Sequence, residues 1–234
     1  MRKADSAHVR TAFKAEMSEL LDAYRRTSTV LQGTSHGGAD ISRLASGTFL
    51  VSYVAFERFV SDLFLSYLNR DFSRYGDDLR ARVLQSVEGK FKAPVRRRTR
   101  VRIPQHPSVA QVGVFVDADG RNLTFGDTTE LKARAVQWLI PNHAGRITSL
   151  GKADGLLIDT AHSIRDFIGH RSVSSRQQMN EHLAELANSA AATRHLGRGV
   201  NEIQNIGSFL KATHRGASRL EGYVERLRDI AQSM

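Results

Sequence analysis

Residues 49–68 read FLVSYVAFERFVSDLFLSYL, and the spacing of the large apolar side chains within them decides the fold class. Phe49, Tyr53, Phe56, Val60, Leu63, Phe64 and Tyr67 recur at steps of three and four, which lines them along one face of an α-helix. A face carrying that much aromatic surface has to be buried, so the stretch predicts the spine of a helical core, in a helix from about Asp40 to Phe72. Glu57, Arg58 and Asp62 interrupt the run and exclude a membrane span. Turned at about 100° per residue, the helix places Arg58, Asp62 and Asn69 outward but drops Glu57 among Leu50, Tyr53, Val60, Phe64 and Leu68. An unpaired carboxylate there is costly, so Glu57 calls for a cationic or hydrogen-bonding partner, either Arg165 or another arginine.

Outward from this spine the helical period continues in both directions. Val9, Phe13, Met17, Leu20, Leu21 and Tyr24 predict a first helix over about Ser6 to Leu31, ended by the Gly33 to Gly38 segment. Asp127 followed by Glu130 reads as a capping box opening a helix to about Ile140, with a loop from Pro141 through Gly151. Leu157, Ala161, Ile164 and Ile168 define a helix over about Ala153 to Gly169, with Gly169 as terminator. Ser174 and Ser175 cap a further helix carrying Met179, Leu183, Leu186 and Ala190, and Leu220, Val224, Leu227 and Ala231 mark the final one. Between Gly89 and Asp127 the texture changes. Three of the four prolines fall there, Arg98, Arg100 and Arg102 alternate with Thr99, Val101 and Ile103, and residues 112–116 and 122–125 flank an Asp117-Ala118-Asp119-Gly120 turn. This predicts a basic β insertion at 89–127 with an edge strand and a hairpin.

The fold expected is mainly α, a helical bundle with a small β-hairpin insertion, occupying 1–195, with 196–234 as a C-terminal helical extension packed on the same core. A chain of 234 residues is long enough for one such core. It has no cysteine, which excludes disulfides, zinc-thiolate sites and thiol nucleophiles and fits a reducing cytoplasm. The start of the chain carries no apolar run of signal-peptide length, so a cytoplasmic location without membrane attachment is expected.

The formal charge of +10 favours a polyanionic partner. Most of the excess is local: Lys90, Lys92, Arg96, Arg97, Arg98, Arg100 and Arg102 fall in one acid-free stretch, and without them 27 basic residues face 24 acidic ones. The patch reads either as a track for an RNA backbone or as a solvated segment that protects an edge strand from aggregation; an acidic protein partner would satisfy the same charge.

Chemistry concentrates at the end of the helix predicted from Ala153, where Arg165-Asp166 is followed by His170. Breaking an RNA strand through its own 2′-hydroxyl requires proton transfer at the attacking and leaving oxygens and positive charge on the developing phosphorane. An imidazole titrating near neutrality and a guanidinium fork meet these needs without a metal. Asp166 and His170 are four apart, so the carboxylate is expected to hold the ring, with His162 one turn earlier and Arg171 either a further phosphate contact or the start of a loop. The competing reading pairs Arg165 with a nearby acid and leaves His170 as a helix-end cation. No histidine set has metal spacing with matching carboxylates beyond the weak His162 with Asp159 or Asp166, and no phosphate-cradling glycine loop or serine elbow is present; neither metal nor cofactor is expected.

Long apolar helices around a late Arg-x4-His, with a polar residue directly after the arginine, resemble the HEPN superfamily, and the segment Phe56-Glu57-Arg58-Phe59 within an apolar second helix looks most like its RiboL-PSP-HEPN branch of prokaryotic nucleases. The resemblance extends over about residues 5 to 190. It implies a homodimer whose motif helices line one composite cleft, with metal-independent endoribonuclease activity of the kind found in toxin-antitoxin and antiphage-defence systems. It also implies Arg165 and His170 as the catalytic pair, Asp166 as the supporting polar residue, RNA as substrate and an antitoxin or defence-system protein as a possible partner. The alternatives are a catalytically silent helical module that binds RNA, nucleotides or a partner protein, and a DNA-end or restriction-associated accessory protein.

Overall fold

The computed structural model describes residues 3–116 and 123–234, and the chain is mainly helical throughout them. The elements are α1 (Ser6–Gln32), α2 (Gly37–Arg70), α3 (Ser73–Arg98), α4 (Val109–Val116), α5 (Thr128–Trp138), α6 (Pro141–Thr148), α7 (Lys152–His170), α8 (Val173–Ala187), α9 (Ala191–Arg194), α10 (Ile206–Lys211), β1 (Thr213–His214), β2 (Ala217–Ser218) and α11 (Arg219–Ser233). No described helix is long and apolar enough to cross a membrane.

α2 is the spine that residues 49–68 predict. Phe49, Phe56, Phe64, Tyr67 and Leu68 are all buried, and α1, α4, α7, α10 and α11 each pack on it. α1 runs antiparallel to α2: Ala4 donates to Asn69 and Arg10 reaches the Tyr67 hydroxyl at one end, Phe13 stacks on Phe59 at 4.7 Å, and Arg58 grips Glu16 toward the middle. Asn69, expected on the outer face with Arg58 and Asp62, is instead buried, because its side chain is consumed in holding Ala4 and the Pro107 carbonyl. α11 lies antiparallel to α1, tied by Arg25 to Glu221 at 2.6 Å and by Gln232 to the Arg10 carbonyl. Its start is a full capping box between Ser218 and Glu221. Leu210, Tyr223, Val224 and Leu227 enter the same core as α1 and α2.

The segment expected as a β insertion is organised differently. Residues 90–98 continue α3 as a helix kinked where Lys92 has φ 70°, residues 99–104 run without secondary structure, and 112–116 are helical in α4. Arg98, Arg100 and Arg102 find no neighbouring strand among the described residues to pair with, so their alternation has no ladder to join there. The turn at 117–120 lies outside the described residues. The β-hairpin of the described residues is at 213–218, where Arg215 and Gly216 both adopt positive φ, 53° and 89°, as the tight turn requires. α3 buries only Tyr75 and Gly76 along its 26 residues, so most of it stands away from the bundle.

Two further boundaries differ from expectation. Pro141 starts α6 rather than opening a loop, since a proline at the first helical position forfeits an amide that has no helical partner anyway. α7 ends at Arg171, held in the left-handed region with φ 51° and its amide bonded to the Phe167 carbonyl, rather than at Gly169.

Candidate functional site

Glu57 on α2 and the last turns of α7 meet in one cluster. Arg165 donates from Nη2 to Glu57 at 3.1 Å and from Nη1 to Asp166 at 2.7 Å, so both ends of the guanidinium fork are held. Asp166 Oδ2 lies 3.3 Å from His162 Nε2, and His162 Nδ1 is 3.2 Å from the Tyr53 hydroxyl. The side chains of Glu57, His162, Asp166 and Arg165 retain 15, 20, 24 and 30% of their exposure, so the cluster is a half-dry seam between two helices that one face of solvent still reaches.

The electrostatics follow from this packing. Burial works against the Arg165 charge, but its hydrogen bond to Asp166 and the fields of Glu57 and Asp166 outweigh that and raise its pKa. The Tyr53 phenol is pushed well above its ordinary value by burial and then by the neighbouring Glu57 carboxylate, so it stays protonated. Tyr53 was assigned only to the apolar core by its spacing. The signal for its second role is its place four residues before Glu57, which puts both on one stripe of α2.

The expected contact between Asp166 and His170 is not made. The carboxylate oxygens of Asp166 are taken by Arg165 and His162, one turn earlier, and His170 is exposed in the last turn of α7. Arg165 and His170 are five residues apart, which on a helix separates them by about 140° and roughly 7.5 Å along the axis. One chain alone therefore does not converge the two on a common atom. Arg171 directly follows His170 and is exposed, and all seven cations from Lys90 to Arg102 are exposed on the outer half of α3 and the segment after it. Arg96 among them is tied to Glu88 at 2.6 Å.

Beside Tyr53, Glu57 and His162 is a cavity of about 30 Å³, too small for a nucleotide. A larger groove of about 790 Å³ lies at the end of α7, bounded by α10 and the N-terminal turns of α2. Among the described residues no group of three or more His, Asp or Glu side chains is placed to hold a metal ion. Comparison with models of known protein families, with curated proteins and with solved structures finds no match to this chain.

Proposed function

We propose that the protein is a metal-independent endoribonuclease acting as a homodimer, with Arg165 and His170 from paired α7 helices lining one cleft. The observation that carries this reading is the fixing of the Arg165 fork by Glu57 and Asp166 while nearly a third of the side chain stays open to solvent. A guanidinium oriented in advance stabilises a phosphorane without reorganising as charge develops. His170, exposed at the end of the same helix, is free to enter a neighbouring copy's cleft. The RNA 2′-oxygen attacks phosphorus as its proton passes to a base, the P–O5′ bond breaks, and the departing 5′-oxygen takes up a proton. A 2′,3′-cyclic phosphate and a 5′-hydroxyl result, with His170 serving as acid or base. The supporting role of Asp166 is in holding Arg165 and His162. The resemblance of Arg165-Asp166 with His170 to the HEPN motif supports the same assignment, and a role as a toxin or antiphage-defence effector goes with that reading.

One observation favours a second reading, a catalytically silent module that binds RNA or a protein: two carboxylates flank Arg165, so its charge is already balanced within the chain. Incubating purified protein with 5′-labelled mixed RNA in EDTA separates the two. Cleavage that Arg165→Ala and His170→Ala each reduce at least a hundredfold, in folded variants, supports the nuclease. Absence of cleavage, a requirement for magnesium, or activity surviving both substitutions refutes it.

A further inference from the structure

The groove at the end of α7 is built by three elements brought together by one close approach. Gly207 of α10 sits against the Ser42 carbonyl of α2 so tightly that a Cβ would lie 2.2 Å from it, and Ser42 and Ser208 share a hydroxyl contact of 3.3 Å across the seam. This contact forms the floor, and Phe167 and Ile168 of α7 form a wall. Arg43, Arg171 and Lys211 line the opening, together with serine, asparagine and glutamine side chains, and no acidic side chain lines it. Arg43 is 81% exposed and, among the described residues, its ion-pair contact is Asp40 on its own helix at 3.0 Å, outside the groove lining. Lys211 donates to the Gly38 carbonyl, which fixes the stem yet leaves its charge uncompensated by any described carboxylate, and Arg171 likewise has no carboxylate partner among the described residues. The other large surface depression, near Arg70 and His106, mixes Arg70 and Arg80 with Asp71 and Asp77 and has no such single sign.

We infer that this groove receives the phosphodiester backbone of single-stranded RNA beside the scissile bond, with Arg43, Arg171 and Lys211 neutralising successive phosphates. The inference rests on the endoribonuclease reading for its choice of RNA, and on the groove's own chemistry for its choice of an anionic polymer. Three cations facing an opening of about 790 Å³ without an acid among them have the character of an anion track, and the polar hydroxyl and amide groups between them suit ribose and phosphate oxygens. Arg171 follows His170 directly, so a strand lying in the groove enters the reaction site at its near end. The distal cations from Lys90 to Arg102 would then add nonspecific attraction rather than define the path.

The test uses a fluorescein-labelled, twelve-nucleotide 2′-O-methyl RNA, which binds but has no hydroxyl to attack, so loss of catalysis and loss of binding are read apart. Anisotropy titrations from 50 to 200 mM KCl compare the wild-type chain with the triple variant Arg43→Gln/Arg171→Asn/Lys211→Gln. Asparagine is chosen at 171 because it tolerates a positive φ. The expected result is at least a tenfold weaker Kd at 100 mM KCl and a salt slope shallower by about 2, from roughly 0.7 per phosphate on single strands. Arg43→Glu, at an exposed position on the rim of the groove, should alone weaken binding several-fold without touching the fold. Binding of the triple variant within twofold of wild type overturns the inference. So does loss confined to Lys90→Gln/Arg96→Gln/Arg98→Gln, or a wild-type preference for poly-aspartate over the oligonucleotide. Failure of RNA cleavage in EDTA, with this binding result intact, would refute the catalytic reading alone.

Discussion

Replacing Gly207 by alanine tests whether the α10 contact that floors the groove is as close as the geometry requires. The added Cβ would meet the Ser42 carbonyl oxygen at 2.2 Å and the Ser46 hydroxyl at 2.8 Å, where ordinary contact begins at 3.4 Å. The carbonyl lies in the second turn of α2, where the helix and the Ser46 hydroxyl hold it and keep it from swinging aside, so α10 must retreat by about 1 Å. Overpacking of this kind costs roughly 1–3 kcal/mol, and the gain in helix propensity over glycine returns about 0.5–1 kcal/mol. The net loss therefore centres on about 1 kcal/mol, which in a chain of this size lowers Tm by roughly 2–4 °C. Gly47 provides the control of opposite sign: it lies exposed within α2, a Cβ there meets nothing within 4 Å, and Gly47→Ala should raise Tm by about 1–4 °C. Thermal melts followed by circular dichroism at 222 nm read both. A Gly207→Ala variant melting at or above the wild-type temperature would show that α10 is not seated against α2.

Three further outcomes follow from the same geometry. Glu57→Gln trades a charge-assisted bond to Arg165 for a neutral one and should cost about 1 kcal/mol in urea denaturation, given the partial exposure of the pair; a loss above about 3 kcal/mol would mean that the seam is dry. Asp159 accepts from both the amide and the hydroxyl of Thr128 at 2.8 Å, so Asp159→Ala should cost about 1–2 kcal/mol and speed amide exchange in the first turn of α5, with Asp159→Asn restoring part of it. His143 stacks on Tyr67 at 4.3 Å, and burial, then the nearby Arg70 and Arg146, hold its pKa below the ordinary value. The unfolded chain therefore binds that proton first as pH falls through about 6.5, and stability drops with it. The advantage of wild type over His143→Gln in urea midpoint should narrow between pH 7.5 and 5.5; a constant gap would remove His143 as a source of acid sensitivity.

Where side-chain periodicity is long and unbroken, the helices were legible: α1, α2, α7, α8 and α11 all follow from apolar residues at steps of three and four, because burial of one face dominates their energetics. The pairing of Glu57 with Arg165 was legible for a related reason, since a carboxylate on a buried stripe must find a donor. The region after Gly89 was not. Valine-rich alternation at 112–116 suits a strand, but Val112 is buried beside α2 in a helical turn, and packing against an existing helix overrides that preference. The true hairpin carries Arg215-Gly216 rather than the asparagine or aspartate that usually marks such a turn. Asp166 was matched to the wrong histidine because His162 and His170 are both four residues away. Which one it holds depends on the position of Arg165, and that is set by Glu57 from another helix.

The slight anchoring of α3 has a consequence for how its charge can vary. Side chains that touch no core contribute a few tenths of a kcal/mol to folding, so lysines and arginines along that outlying rod can be gained, lost or reversed with little penalty to the bundle. The groove has no such latitude. Its floor is shared with the seating of α10, so drift in its chemistry is coupled to the integrity of the scaffold, while the charge of the rod can change without that coupling.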